Sequence, residues 1–351
     1  MSGRVALDFG TRHTRLADAA GKILFEDETL AAVNLRDGSL VAFGSAARAL
    51  IGRSAGEVGL VRPVVRGQLQ DLQLTDKVAT HLLEKVAGQV GRHPEVLCSV
   101  PGLATGVQKR AMERAFKQAG APKVEFIDHA VATGIGFRLH IEEPVATMTL
   151  DAGAGTTDVA VMALGGTVTK ASIPVGGDDI DRSIRQLLAR SFDLVVPTEV
   201  AEQVKKAVVT AWRESEQKIE VTGRDASNGT PRTVVISTSE ASAAAAEHVR
   251  AMLEAAVSCI VTAPPDLAND LLTKGLHLAG EGAMLPGFAR KLASATGIPV
   301  HLAADPSRTA VHGAARCLRQ PEARATSEAV RPKTAPPRDP PPPGAPASRG
   351  H

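Results

Sequence analysis

Met148-Thr149-Leu150-Asp151-Ala152-Gly153-Ala154-Gly155-Thr156-Thr157-Asp158-Val159-Ala160-Val161 reads as strand, glycine turn, strand. Apolar and β-branched residues flank a centre built from Asp, Gly, Ala and Thr. Gly153 and Gly155 allow backbone angles that a Cβ resists, and they let main-chain N–H groups approach a ligand closely. A row of such N–H groups is a nest for anions. Asp151 closes the first strand, where it can face a metal ion, and Thr156 and Thr157 place hydroxyls beside it. The stretch is a candidate for holding nucleotide phosphates and Mg²⁺. An ordinary hairpin of small residues accounts for the same letters.

A second copy tips the balance. Arg4-Val5-Ala6-Leu7-Asp8-Phe9-Gly10-Thr11-Arg12-His13-Thr14-Arg15-Leu16-Ala17 has the same grammar of apolar strand, Asp, turn with Gly and Thr, strand. Asp8 and Asp151 lie 143 positions apart (151 − 8). Two such hairpins suggest a duplicated domain with a ligand between the halves. In this respect the chain resembles the actin-like ATPase superfamily, which includes actin, the heat-shock chaperone ATPases and the sugar kinases.

The length of 351 residues suggests about two domains, and an apolar content of 44% is ample for a core. Aromatics make up only 3%, with no Tyr, so the core is expected to be Val, Leu, Ile and Ala. A net charge of +2 gives no argument for nucleic acid. The three widely spaced cysteines, Cys98, Cys259 and Cys317, form neither a disulfide framework nor a metal cluster, which fits a reducing cytoplasm. Strand grammar begins by Val5, so no signal peptide is expected. No apolar run reaches the roughly eighteen residues of a membrane span.

Along the chain, the pattern predicts a helix over 74–86 with Thr75 as N-cap, a buried strand over 95–100, and a helix over 105–119 capped by Thr105. A strand over 124–127 follows, then a helix rich in small residues from Asp128. Such a helix can sit close to a ligand or to another backbone. Further helices are expected over 199–213 and 239–262, with a hairpin over 222–237 between them. Leu276–Phe288 reads as strand, glycine turn, helix, and a last helix spans about 308–318. Nine of the final thirty-one residues are Pro. That composition cannot bury enough surface to fold, so 320–351 is expected to be a disordered tail. Its Pro337-to-Pro340 spacing suits a partner groove, although a solvated tail explains it as well.

Taken in order, these features resemble MreB, the bacterial actins that guide wall synthesis in rod-shaped cells. The likeness covers about residues 4–318. It rests on Asp8-Phe9-Gly10-Thr11, Val100-Pro101-Gly102, the Asp151–Val161 hairpin, Val175-Gly176-Gly177-Asp178, Leu278–Leu285 and Thr296–Pro306. The resemblance implies an α/β, actin-like ATPase fold with two duplicated α/β domains around a nucleotide cleft. Domain I would span 1–140 with a small subdomain at about 30–70. Domain II would span 141–319 with a small subdomain at about 180–250, its final helix packing back on domain I. ATP or ADP would lie in the cleft with Mg²⁺ facing Asp8 and Asp151, chiefly through water. The contacts implied are Asp8, Gly10, Thr11 and Arg12 from the first hairpin and Asp151, Gly153, Ala154, Gly155 and Thr156 from the second. Gly177, Lys205, Gly280, Glu281 and Gly282 complete the set. Filaments would be paired through a helix like 105–116, with Val107, Arg110 and Arg114 outward.

Several residues depart from that pattern. His129, preceded by Asp128, stands where the family places the Glu that positions the attacking water. His129, Asp128 and Thr156 are thus the candidates for the catalytic end. A neutral imidazole could still orient water, and a tolerated helix-start residue explains His129 as well, but losing water positioning slows such hydrolases by orders of magnitude. Ala154 replaces a glycine and requires negative φ. Glu281 replaces another, and a carboxylate near phosphate costs roughly 1–4 kcal/mol at about 4 Å unless it turns away. Lys205-Lys206-Ala207 lacks the Glu of a Lys-x-Glu pair that reaches adenosine. Nucleotide affinity and hydrolysis are both expected to be weakened, making the chain at most a slow ATPase. The loop 88–94 carries a single Val, too little to insert into lipid, so membrane contact would be indirect or aided by Arg92. The expected role is a filament-forming scaffold for cell-shape or wall synthesis, at the inner face of the membrane, with membrane-bound morphogenetic partners. A superfamily kinase or phosphatase would need a larger substrate insertion, a chaperone would need a β domain after 320, and a nucleotide-independent scaffold remains the nearest relative of the first reading.

Overall fold

The structure, a computed structural model, describes residues 3–52, 56–212 and 215–320. The Pro-rich tail lies outside the described residues. Two five-stranded sheets organise the rest. In the first, the order is 124–128, 95–100, 4–9, 13–18, 23–28. In the second it is 300–302, 276–279, 147–152, 157–163, 166–173. Each has the same pairing: the central strand meets its hairpin partner antiparallel on one side and a parallel crossover strand on the other. The duplication read from two hairpins is therefore carried by whole sheets.

Both central strands are buried along their length apart from Arg4 at one end, as expected of strands covered on two faces. Two large apolar cores fill the outer faces of the sheets, one around Leu7, Leu82 and Phe116, the other around Leu150, Ile184 and Phe288. A third lies between the halves. It is built where the helix His129–Gly136 crosses the final helix Thr309–Arg319, which also packs on the strand Arg4–Phe9. The small residues of the first helix approach another backbone here. A Cβ on Gly313 would stand 1.7 Å from the carbonyl oxygen of Ala132, and one on Gly136 would stand 2.1 Å from that of Thr309.

Three local expectations change. The helix expected from 74 spans Leu72–Val90, and its cap is Asp71, whose carboxylate accepts from the N–H groups of Gln73 and Leu74. Thr75 instead donates its hydroxyl to the Asp71 carbonyl at 2.7 Å. The same helix absorbs Gly88–Val90, with Val90 half-buried against the first core, so the loop before the strand Glu95–Val100 is short. The helix expected over 199–213 ends at Val208, because Val209 turns extended. Trp212 then packs against Gly287, with Arg290 and Lys291 each 5.7 Å from its ring. The helix Gly106–Gln118 forms as expected behind a Thr105–Gln108 capping box, with Val107 exposed and Arg114 paired to Asp76.

No described helix is long and apolar enough to cross a membrane. All three cysteines are buried.

Candidate nucleotide cleft

The two hairpins open onto a common cleft. A narrow inner cavity of about 70 Å³ is lined by Asp8, Gly10, Thr11 and Arg12 from the first and by Asp151, Gly153, Ala154, Gly155 and Thr156 from the second. His129, Ser99, Gly280 and Glu281 share its wall. A larger cavity of about 650 Å³ adjoins it, lined by Gly177, Asp178, Glu202, Lys205, Gly282 and the apolar side chains Ile180, Met252, Met284 and Leu285. Arg12, His13, Gly153, Ala154, Glu281 and Ser307 line both. A polar end joined to a roomier, partly apolar end matches the chemistry of a phosphorylated nucleoside.

Glycine acts here by proximity. Neither Gly153 nor Gly155 takes a left-handed φ. A Cβ on Gly155 would lie 2.3 Å from the Thr11 hydroxyl and 2.9 Å from Arg66 Cα, so the hairpins touch through that glycine. Ala154 has negative φ, which removes the expected objection to its Cβ. Gly280 does need its φ of +84°, and a Cβ there would also meet the Ala152 carbonyl oxygen at 2.3 Å.

The catalytic candidates separate. Asp128 does not line the cleft: one oxygen caps the helix at Ala130 N–H (3.1 Å) and the other meets Lys170 Nζ at 3.2 Å. Thr156 lines the inner cavity. His129 is half-buried there, its Nδ1 2.9 Å from Ser99 Oγ and its Nε2 3.5 Å from Asp151 Oδ1. Burial opposes its charge, but Asp151, Asp8 and Asp158 outweigh burial and lift its pKa to about 10. The surrounding acids thus favour the protonated ring, where the sequence left a neutral imidazole open. Asp8 moves the other way for a carboxylate: burial raises its pKa, against the opposing charges of His129 and Arg15.

Asp151 keeps its second oxygen on the Thr133 hydroxyl at 2.9 Å. Mg²⁺ prefers an oxygen shell drawn largely from water and phosphate. Asp8 and Asp151 offer suitable oxygens, but a cationic ring already lies between them and Asp158 in charge terms. Among the described residues, no group of three or more His, Cys, Asp and Glu side chains is placed to hold a metal.

Glu281 lines the inner cavity with its charge already paired. It pairs with His13 Nδ1 at 2.6 Å and with Arg15 at 2.9 Å. Burial works to raise its pKa, yet these partners hold it at about 2. Lys205 Nζ meets Asp181 Oδ1 at 2.9 Å and the Gly177 carbonyl at 3.2 Å. Sequence reasoning missed Ser99, Thr133, Asp181, Glu202 and the buried Asp158, which accepts from Gly102 N–H at 2.8 Å. Three basic residues in one hairpin, Arg12, His13 and Arg15, were the available signal that acids must face them.

Comparison with known proteins agrees with this architecture. A family model described as MreB/Mbl protein matches residues 2–326. The chain belongs to the MreB/Mbl family. It is 32% identical over 324 residues to the cell shape-determining protein MreB of Escherichia coli K12, covering 90% of this chain and 93% of that one. It is 30% identical over 305 residues to the cell shape-determining protein Mbl of Bacillus subtilis 168, covering 86% and 91%. MreB5 of Spiroplasma citri bound to ADP superposes with a TM-score of 0.85 at 24% identity, over 92% of this chain and 98% of that one. The same protein bound to AMPPNP gives 0.81 at 25%, over 89% and 95%. The MamK double helical filament shares the fold at 0.74 and 20% identity, over 90% of this chain and 99% of that one. The actin-like fold expected from two hairpins is thereby shown.

Proposed function

We propose that this MreB/Mbl protein binds an adenine nucleotide in the cleft, assembles into filaments and organises cell-shape or wall synthesis. It would work from the cytoplasmic face of the membrane through membrane-bound morphogenetic partners. The observation that carries the reading is the meeting of two equivalent Asp-Gly-Thr hairpins in one cleft that continues into a nucleoside-sized cavity. The ADP and AMPPNP bound by a related MreB support it. The hairpin N–H groups and Thr11 and Thr156 would hold the phosphates, and Lys205 and Glu202 lie at the nucleoside end. Domain I would run from 1 to 140 and domain II from 141 to 319. Any Mg²⁺ brought by the nucleotide would neutralise phosphate charge, with Asp8 and Asp151 facing it through water.

Hydrolysis would be slow. An imidazolium held by Ser99 and Asp151 has no lone pair with which to orient or deprotonate water, and Asp128 is occupied elsewhere. The test is ultracentrifugal pelleting of the full chain with and without ATP, alongside phosphate release and calorimetric titration with AMPPNP. Sedimenting polymer, measurable binding and little phosphate release are expected. A monomer that never sediments and transfers phosphate to a small molecule would reject the reading in favour of a kinase.

A further inference from the structure

The walls of the cleft carry opposite charge. Lys205, Lys206, Asp8 and Glu28 also line the cleft, but the pairs that cross it at Arg12, His13, Arg15, Arg48 and Arg66 all set a cation of the first half against an acid of the second. Arg12 pairs with Asp178, with Asp181 at 2.9 Å and with Glu202. Arg15 and His13 pair with Glu281. Arg48 meets Glu199 and Arg66 meets Asp179 at the margins. Arg12 is the hub: its side chain is 11% exposed, and that of Asp181 only 1%.

Charge-assisted pairs are stronger than neutral hydrogen bonds, and those at the solvent margin of a cleft weaken as salt screens them. A cleft that needs a ligand to draw its halves together presents donors from both walls to the phosphates. Here the strongest donor is already satisfied by carboxylates of the opposite wall. We propose that this cleft is latched shut by the chain's own ion pairs, centred on Arg12, so that closure of the two halves does not require nucleotide. The proposal deepens the nucleotide reading, as regulation of the same cleft. Arg12 Nε is buried without a hydrogen-bond partner and leaves one donor for an incoming phosphate oxygen.

Single-molecule energy transfer on the full chain tests this below the concentration of self-association. Dyes are placed on Asp37→Cys and Ser227→Cys, both exposed turns in opposite halves, while the native cysteines are buried. Nucleotide-free protein at low salt should give one high-transfer population. That population should shift to lower transfer in 1 M NaCl, and in Arg12→Ala already at low salt. AMPPNP should restore high transfer in Arg12→Ala. The pair Asp178→Asn with Glu202→Gln, which keeps Arg12, should open like Arg12→Ala and guards against a misfolded single variant. The proposal is overturned if the unmodified cleft is open until AMPPNP is added, or if neither variant nor salt changes transfer. If AMPPNP neither binds the parent chain nor closes the variants while the variants still open, the latch stands and the nucleotide reading fails.

Discussion

His129 sets the chemistry of the cleft at the scale of one side chain. Its ring lies 3.5 Å from Asp151, and the negative charges of Asp151, Asp8 and Asp158 favour its protonated form. Replacing it by His129→Glu adds a carboxylate to a buried acidic group and should destabilise the ligand-free protein by about 3–5 kcal/mol, the scale of breaking a buried pair. Millimolar Mg²⁺ should recover much of that loss in the variant and change the parent little. Thermal melts with and without Mg²⁺ read this directly, and an equal Mg²⁺ response in both proteins would refute it. Glu281 gives a pH prediction. Its folded pKa of about 2 lies below the ordinary 4.5, so its contribution is present above about pH 4.5 and is lost as pH falls through 2. The contribution is roughly 1–3 kcal/mol after allowing for its partial exposure. Glu281→Gln should therefore cost that much in urea unfolding at pH 7 and progressively less towards pH 2. A gap that persists at pH 2 would show that shape rather than charge holds the pair.

The crossing of His129–Gly136 with Thr309–Arg319 dominates the element scale. Two glycines let these helices meet backbone to backbone, and the contact joins the halves. Gly313→Ala would press a methyl into the Ala132 carbonyl at 1.7 Å, where no rotamer relieves it. A loss of about 3 kcal/mol or more is expected in chemical denaturation, at the upper end of overpacking costs. Gly88→Ala, whose Cβ would meet nothing within 4 Å inside a helix, should be neutral or stabilising by up to about 1 kcal/mol. The cap of Leu72–Val90 separates two readings of one stretch. Asp71→Ala should cost about 1 kcal/mol, and Thr75→Ala less, since Asp71 satisfies the free N–H groups. The stretch from Gln70 to Lys77 holds three cap-type residues, Asp71, Thr75 and Asp76, of which the sequence reading took Thr75. Only the path of the chain shows which one meets the free N–H groups.

For the whole molecule, the proposed latch makes a prediction about assembly. If the halves close without nucleotide, pelleting should be nearly equal with and without ATP, and Arg12→Ala should make it ATP-dependent. A parent chain that sediments only with ATP would argue for ligand-driven closure. The fold was legible in the letters because its signals are local: two Asp-Gly-Thr turns flanked by apolar runs, and the small-residue helix after the strand Val124–Asp128. Strand and turn preferences act over a few neighbours, so the letters alone sufficed for the duplicated hairpins, the order of elements and the hairpin residues that meet in the inner cavity. The protonation of His129, the pairing of Glu281 and the partners of Arg12 were not legible. Each depends on side chains distant in sequence brought within a few ångströms, and on burial that changes what a charge costs. Those electrostatic facts exist only once the two halves are folded against each other.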